Sequence, residues 1–435
     1  MSRLTLSALI SHARTPLYRN GYALLLSSAM TSALGVIYWM LAARFYDARD
    51  VGVNAALLSA MVLVSGTSQL GLPSAIVRFV PVMGLRARKL IIGAYITSLL
   101  AAAVGASIFA LGVDIWFPTL HAFGSEPLYT TWFVLATMSW CLFQMQDSVI
   151  VGLRESLWIP LENATFAVVK IVLLLLMVDT FANYGIFASW SVALALSLIP
   201  VNLLIFLHLL PRFARSVNPD TVYRITGKQV ARYAGANYVS TFLSLASTAL
   251  LPILVTHIVG PRANAYFYQP WLILGSLQLV ATNMTMSFTV EAARNPANLG
   301  RYIQRALVAI LRLLVPTVLL VVVGAPYLLR IFGTDYEAEG TALLRLLALG
   351  SVPNVAVVLY IGLARAQQRI GGLIAVQTAL SVLLLGLSYI LLPEYGIRGV
   401  GIAWLTAQTM LASVLAVMQI APVMRGVAQA PARVK

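Results

Sequence analysis

The chain has 435 residues, of which 60% are hydrophobic and only 10% are charged, and its mean hydropathy is +0.88. Soluble domains carry about 25% charged residues, so this composition excludes a soluble enzyme and a disordered chain and indicates an integral membrane protein. The formal net charge of +15 does not indicate nucleic-acid binding, because the basic residues occupy short loops between apolar segments, where they orient a membrane protein.

Apolar runs of about 20 residues can cross about 30 Å of hydrocarbon as helices. The predicted fold is therefore an all-α polytopic membrane protein with about twelve transmembrane helices. The predicted spans cover residues 21–44, 51–79, 89–113, 128–151, 161–178, 184–209, 230–257, 264–290, 303–325, 338–362, 370–391 and 398–421. Most of the 29 Lys and Arg residues lie in one set of loops, so the positive-inside rule places both termini in the cytoplasm.

Polar side chains within the first two spans indicate contact with protein or water, because lipid favours apolar groups. Tyr38, Asn54 and Gln69 are such residues, and both cavity lining and helix packing through polar groups explain them. Arg44 ends span one and Arg78 lies near the inner end of span two. A guanidinium group binds phosphate oxygens in pairs, so both arginines are candidates for an anionic substrate, with snorkelling to lipid headgroups as the alternative.

Two charges lie inside the next spans. Lys170 stands about nine residues into span five, and Asp147 in span four is the only carboxylate well inside a predicted span. A bare ammonium group at this depth is costly, so we expect Asp147 and Lys170 to lie together. The pair is interpreted either as an ion-coupling or phosphate-contacting site, or as a structural pair that braces the first half.

Spans seven and eight carry the other polar stripes. The residues that share a face are Asn237, Thr241, Ser244 and Thr248 in span seven, and Gln278, Thr282, Thr285 and Thr289 in span eight, with Asn283 as a further candidate. Spans eleven and twelve have fewer polar groups and are expected to form an outer scaffold.

An internal repeat divides the chain. Three motifs recur at a nearly constant offset, Phe123-Gly124 with Phe332-Gly333, Gly152-Leu153 with Gly362-Leu363, and Tyr184-Gly185-Ile186 with Tyr395-Gly396-Ile397. We therefore predict two pseudo-symmetric six-helix lobes, 21–210 and 230–421, that flank a central pathway for alternating access. The remaining segments are an interfacial N-terminal segment (1–20), a basic cytoplasmic linker (211–229) and a basic cytoplasmic tail (422–435).

Motifs for catalysis are missing from the sequence. It contains no phosphate-binding loop with a Walker lysine, no nucleophile elbow and no metal-spaced His/Glu cluster. Its one cysteine excludes an internal disulfide, and four histidines do not suggest a metal site. The expectation is a protein that is not an enzyme and that uses no cofactor or metal.

Several of these residues resemble the polysaccharide-repeat-unit flippases, the O-antigen and exopolysaccharide exporters of the multidrug/oligosaccharidyl-lipid/polysaccharide (MOP) superfamily. The resemblance lies in Ala43-Arg44-Phe45-Tyr46, Asp50-Val51-Gly52, Gly71-Leu72, Arg78-Phe79-Val80-Pro81, Gln146-Asp147, Gly152-Leu153-Arg154, Lys170 and Tyr184-Gly185-Ile186. It covers the whole chain in architecture and the first half in local motif.

This resemblance implies the MOP flippase fold and the transfer of undecaprenyl-pyrophosphate-linked oligosaccharides across the bacterial inner membrane for surface polysaccharide synthesis. The implied partners are the lipid-linked oligosaccharide, bilayer lipids and the polysaccharide polymerase or chain-length machinery. Basic residues in a central cavity would take the pyrophosphate. The alternative is a proton- or sodium-coupled drug or cation exporter of the same fold, which needs a carboxylate in its cavity.

Overall fold

The computed structural model describes residues 16–116, 126–181, 183–216, 225–294, 299–367 and 369–420. The N-terminal segment up to residue 15, part of the linker (217–224) and the C-terminal tail lie outside the described residues. Every regular element within the described ranges is helical.

Fifteen α-helices follow one another along the described chain. They are α1 (Pro16–Phe45), α2 (Ala48–Ser68), α3 (Leu72–Met83), α4 (Ala87–Leu111), α5 (Val113–Trp116), α6 (Pro127–Gly152), α7 (Trp158–Leu176), α8 (Gly185–Leu203), α9 (Leu210–Ser216), α10 (Gly227–Ile258), α11 (Pro261–Arg294), α12 (Leu299–Arg330), α13 (Thr334–Ala366), α14 (Ile370–Tyr395) and α15 (Ile397–Leu415). π-helical turns at Leu204–Leu209 and Ala416–Ile420 continue α8 and α15.

Ten helical segments in the described ranges are long and apolar enough to cross a membrane, and two shorter apolar helical segments cover Met30–Phe45 and Leu72–Met83. In hydrocarbon every backbone N–H and C=O must be satisfied within the protein, and helices achieve this locally. The predicted class, an all-α polytopic membrane protein, is confirmed.

The predicted second span, 51–79, is not one helix. It breaks between α2 and α3, where Leu70 and Gly71 adopt positive φ angles of 52° and 72°. A Cβ atom at Gly71 would overlap the backbone oxygen of Ala234. This position therefore requires glycine for two reasons, its left-handed backbone conformation and the closeness of the Ala234 backbone. Pro73 stands in the first turn of α3, where its missing N–H costs no hydrogen bond.

The chain forms two compact units. Unit 1 comprises Met1–Tyr46 and Leu57–Thr241, and unit 2 comprises Asp47–Ala56 and Phe242–Lys435. The main core of unit 1 joins α3, α4, α6 and the end of α8, with Ile91 and Met145 fully buried. The core of unit 2 joins α11, α12 and α13 around Leu277, Ile310 and Val355.

Candidate functional site

Unit 2 contains a cavity of about 350 Å³ between α10, α11, α13, α14 and α15. Its polar lining comprises Ser244, Ser247, Thr248, Gln278, Thr282, Thr285, Asn354, Arg365, Gln377 and the indole of Trp404. Aliphatic side chains of α13 and α14 complete the wall. The volume lies within the range of small-molecule sites, which is about 300–1,000 Å³.

Helical spacing brings these residues to one wall. Ser244 and Thr248 are four residues apart on α10, and Gln278, Thr282 and Thr285 follow the same rule on α11, so each set shares a helix face. The cavity therefore collects members of both polar stripes predicted for spans seven and eight. Thr289 of the second stripe has a side chain outside the described part of the chain.

The hydroxyl groups of the wall are oriented by their own helix. Ser247 donates to the backbone oxygen of Leu243 at 3.0 Å, and Thr248 donates to the backbone oxygen of Ser244 at 3.2 Å. A hydroxyl that donates its only proton to the backbone keeps its lone pairs, so both oxygens face a ligand as acceptors.

The amide side chains of the wall make no hydrogen bond to any described residue. Among the described residues, the side chains of Gln278, Asn354 and Gln377 have no hydrogen-bond partner, although Asn354 and Gln377 are only 6% and 5% exposed. Each amide offers two N–H donors and an accepting oxygen. The lining can therefore exchange hydrogen bonds of both kinds with a hydroxyl-rich ligand.

Arg365 supplies the only charge on the described lining of this cavity. It lies in the last turn of α13, and no carboxylate of the described residues stands within 4.0 Å of its guanidinium group. The lining contains no Asp or Glu. Trp404 is 3% exposed and meets Trp271 edge-to-face with ring centroids 5.9 Å apart. The cavity is thus cationic, rich in hydrogen-bonding groups and bounded by an aromatic ring.

Of the residues predicted for a substrate site, Gln278 lines this cavity. Arg44 is exposed at the end of α1, and Arg78 is exposed on α3 with its guanidinium carbon 4.5 Å from the ring centroid of Tyr233. Arg78 therefore contributes a cation–π contact between α3 and α10 in unit 1.

The remaining predicted polar residues are placed elsewhere. Asn54 is fully buried and donates to the backbone oxygen of Asp50 at 2.7 Å, whereas Gln69 lies in the turn that separates α2 from α3. Thr241 is exposed and Asn283 is half-buried, and neither belongs to the cavity lining. The side chain of Asn237 is outside the described part of the chain.

Lys170 and Asp147 do not form the expected pair. Lys170 is 5% exposed, and its Nζ lies 3.7 Å from the ring centroid of Trp190, 4.4 Å from that of Tyr38 and 5.1 Å from that of Phe166. Three aromatic faces thus solvate the ammonium group through their quadrupoles. Tyr38, another predicted site residue, is fully buried and donates to the backbone oxygen of Ile186.

Asp147 instead faces the first turns of α7. Its carboxylate accepts a hydrogen bond from the Asn163 side chain and carries a second oxygen that is buried without a partner. Glu162 on α7 interacts with it electrostatically and is 6% exposed. The expectation that Asp147 is the only carboxylate inside a span is wrong, because α7 begins at Trp158 and encloses Glu162 in its second turn.

No protein-family model matches the chain, and no curated protein sequence matches it either. Solved structures do match. An inward-facing multidrug resistance MATE family transporter of the MOP superfamily superposes with a TM-score of 0.68 at 14% identity, over 92% of this chain and 99% of that one. The chain has the fold of the MOP transporters.

Two further structures extend this likeness. An outward-facing multidrug resistance MATE transporter matches with a TM-score of 0.63 at 14% identity, over 93% of this chain and 96% of that one. A MOP superfamily transporter from Pyrococcus furiosus, described as having a binding pocket of reverse polarity that suggests a different function, matches with a TM-score of 0.61 at 14% identity, over 94% and 96% of the two chains. The chain is thus a multi-pass membrane protein with a transporter fold.

Five polar or aromatic residues of the cavity were not predicted from the sequence, namely Ser247, Asn354, Arg365, Gln377 and Trp404. Gln377 lies on α14 and Trp404 on α15, which were expected to be outer scaffold, and that expectation is wrong. A signal for Arg365 existed, because it follows Gly362-Leu363 much as Arg154 follows the matching Gly152-Leu153. The signal for Gln377 was weak, because it is the one amide side chain of α14 and only the small hydroxyls of Ser381 and Ser388 share its helix face.

Proposed function

We propose that the protein is a flippase that moves undecaprenyl-pyrophosphate-linked oligosaccharide repeat units across the bacterial inner membrane, for surface polysaccharide synthesis. The observation that carries this proposal is the wall of the unit 2 cavity. It combines the Arg365 guanidinium group with neutral hydroxyl and amide groups, and its described lining contains no carboxylate.

Each component of this wall suits one part of such a headgroup. A guanidinium group stays charged and donates two parallel hydrogen bonds to phosphate oxygens. Sugar hydroxyls both donate and accept, and the free amides of Gln278, Asn354 and Gln377 do the same. Trp404 adds an aromatic ring to the lining, and the apolar face of a sugar ring can pack against such a ring.

Alternating access is the transport mode that we propose. Solved relatives of this fold are described in inward-facing and in outward-facing conformations, which supports a cycle between two such states. In the proposed orientation both termini lie in the cytoplasm, as the bias of Lys and Arg predicts. The direction that we propose is from the cytoplasmic to the periplasmic leaflet, which is the direction that the resemblance to the polysaccharide flippases implies.

The second candidate is a proton- or sodium-coupled drug or cation exporter. It is favoured by the description of two matching structures as multidrug transporters, and by the carboxyl groups of the buried Glu162 and the half-buried Asp147 in unit 1. A cationic drug would meet the wrong charge in the unit 2 cavity, because Arg365 is unpaired there among described residues and repels it. We therefore rank the flippase first.

The test is deletion of the gene in its native host, followed by quantification of the lipid-linked oligosaccharide and of surface polysaccharide. We expect the lipid-linked unit to accumulate and the surface polymer to be lost. The wild-type gene and Arg369→Ala should restore the polymer, whereas Arg365→Ala should not. Arg369 is the matched control because it is an exposed arginine like Arg365, lies four residues further along the chain and is absent from the cavity lining.

Two results would contradict the proposal. Unchanged lipid-linked oligosaccharide together with new sensitivity to cationic dyes would support the exporter. Full complementation by Arg365→Ala would show that transport does not need the positive charge of the cavity, even if the deletion phenotype is as expected. An Arg365→Lys copy separates charge from geometry, since lysine keeps the charge and loses the paired hydrogen bonds.

A further inference from the structure

A second pocket, confined to unit 1, has a carboxylate in its wall. This groove of about 350 Å³ lies between α6, α7 and α8, and its lining is almost entirely apolar, including Ile150, Leu161, Val169 and Leu204. Glu162 belongs to the lining and is more than nine-tenths buried. Both of its carboxylate oxygens are buried without a hydrogen-bond partner.

The neighbourhood gives Glu162 no positive charge. No Lys, Arg or His of the described residues stands within 4.0 Å of Glu162 or of Asp147. Lys170, two turns further along α7, is held by its aromatic rings instead. An ionised carboxylate in such surroundings lacks both the hydrogen bonds and the counter-charge that make burial tolerable.

Two titratable groups face Glu162 from the helices around it. Asp147 on α6 repels it, and the Tyr95 hydroxyl on α4 interacts with it electrostatically and is itself buried without a hydrogen-bond partner. The part of α8 that lines the groove contributes Leu196, Ser197, Pro200 and Val201, which do not titrate. Two carboxylates that are buried together without a cation cannot both be ionised at low cost.

We propose that Glu162 is a proton-binding site in unit 1, with one proton held on its carboxyl group beside Asp147 and exchanged through the groove that Glu162 lines. Binding adds one proton to a carboxylate oxygen, removes one negative charge from the membrane interior and changes no other bond. The inference does not depend on which substrate the cavity of unit 2 takes, so it holds for a flippase and for an exporter.

A proton suits this site better than a metal ion. Hard cations need several oxygen ligands, about six to eight for calcium. The groove supplies the Glu162 carboxylate and the Ser197 and Thr165 hydroxyls within an apolar wall, and both hydroxyls donate to their own helix, Ser197 to the backbone oxygen of Ala193 at 2.8 Å. No group of three His, Cys, Asp or Glu in the described chain has metal-binding geometry.

The experiment uses the full-length protein in lipid nanodiscs without substrate. Infrared difference spectra are recorded between a pH of about 6, at which exposed carboxyl groups are already ionised, and alkaline pH, and the protons released on alkalinisation are counted with an indicator dye in weak buffer. The wild type should show the C=O stretch of a protonated carboxyl group and release one more proton per molecule than Glu162→Gln. Glu155→Gln is the matched control, because Glu155 lies just before α7, is half-buried and is absent from the groove.

Asp147→Asn tests whether the neighbouring carboxylate helps Glu162 to hold its proton. Without the repulsion from Asp147, the C=O band of Glu162 should remain at acidic pH and disappear at a lower pH than in the wild type. A band that titrates at the same pH in both proteins would overturn the role of Asp147, and this comparison is informative even if Glu162→Gln does not fold. Equal proton release from the wild type and from Glu162→Gln would overturn the site, and release of the proton by added sodium at constant pH would replace it with a cation site.

Discussion

A close contact between α2 and α11 in unit 2 allows a direct test of the packing. A Cβ atom on Gly52 of α2 would overlap the backbone oxygen of Pro261 and lie 2.6 Å from its carbonyl carbon, and neither atom can move aside as a flexible side chain can. Asn264 is fully buried and donates to the backbone oxygen of Gly52 at 2.8 Å, so separating the helices also breaks this bond. Overpacking costs about 1–3 kcal/mol and a lost hydrogen bond about 1 kcal/mol. We expect Gly52→Ala to lower the free energy of unfolding by about 3 kcal/mol.

The assay is the thermal unfolding of purified protein in detergent, followed by the loss of the monodisperse peak in size-exclusion chromatography. Gly275→Ala is the matched control, because a Cβ atom at Gly275 on α11 meets nothing within 4 Å. There alanine should be neutral or stabilise by up to about 1 kcal/mol through helix propensity. Asn264→Ala isolates the hydrogen bond, and Gly52→Ala should cost less in that background. Equal melting temperatures for Gly52→Ala and Gly275→Ala would refute the reasoning.

Two more substitutions test the cage around Lys170 and the polarity of the cavity. Trp190→Ala should destabilise unit 1 by about 3–5 kcal/mol, whereas Lys170→Met should change the free energy of unfolding by no more than about 1.5 kcal/mol, because methionine fills a similar volume without a charge to desolvate. A larger loss for Lys170→Met than for Trp190→Ala in thermal unfolding would contradict this assignment. Asn354→Asp should abolish complementation of the deletion strain while leaving the melting temperature within about 2 °C of the wild type, because it adds a negative charge to the wall of the cavity that is proposed to hold an anionic headgroup. Full restoration of surface polysaccharide by Asn354→Asp would count against an anionic ligand.

Most of the fold follows from hydropathy. Segments that cross the lipid bilayer must be long apolar helices. Their positions can therefore be predicted from the sequence without knowledge of how the helices pack. The break between α2 and α3 was less visible, because Leu70 and Pro73 fit an apolar run as well as they fit a turn. The requirement for Gly71 becomes clear only when the backbone of Ala234 is present beside it.

The sites were harder to predict, for a geometric reason. Depth in the membrane follows from counting residues, whereas the direction in which a side chain points around its helix depends on the neighbouring helices. Asp147 and Lys170 have compatible depths, yet one faces the start of α7 and the other faces α1 and α8. Gln278 was found because its helix carries a stripe of four polar residues, while Gln377 on α14 shares its face only with the small hydroxyls of Ser381 and Ser388.

The position of Arg365 in the last turn of α13 bears on how firmly an anion would be held. A helix carries about half a negative elementary charge at its C-terminus, so a phosphate drawn to this guanidinium group is also repelled by the carbonyl groups behind it. Affinity and residence time fall together when attraction is offset in this way, since most differences in affinity arise from the dissociation rate. A carrier must release what it binds in every cycle, and an arginine at the negative end of a helix gives charge selectivity with rapid dissociation.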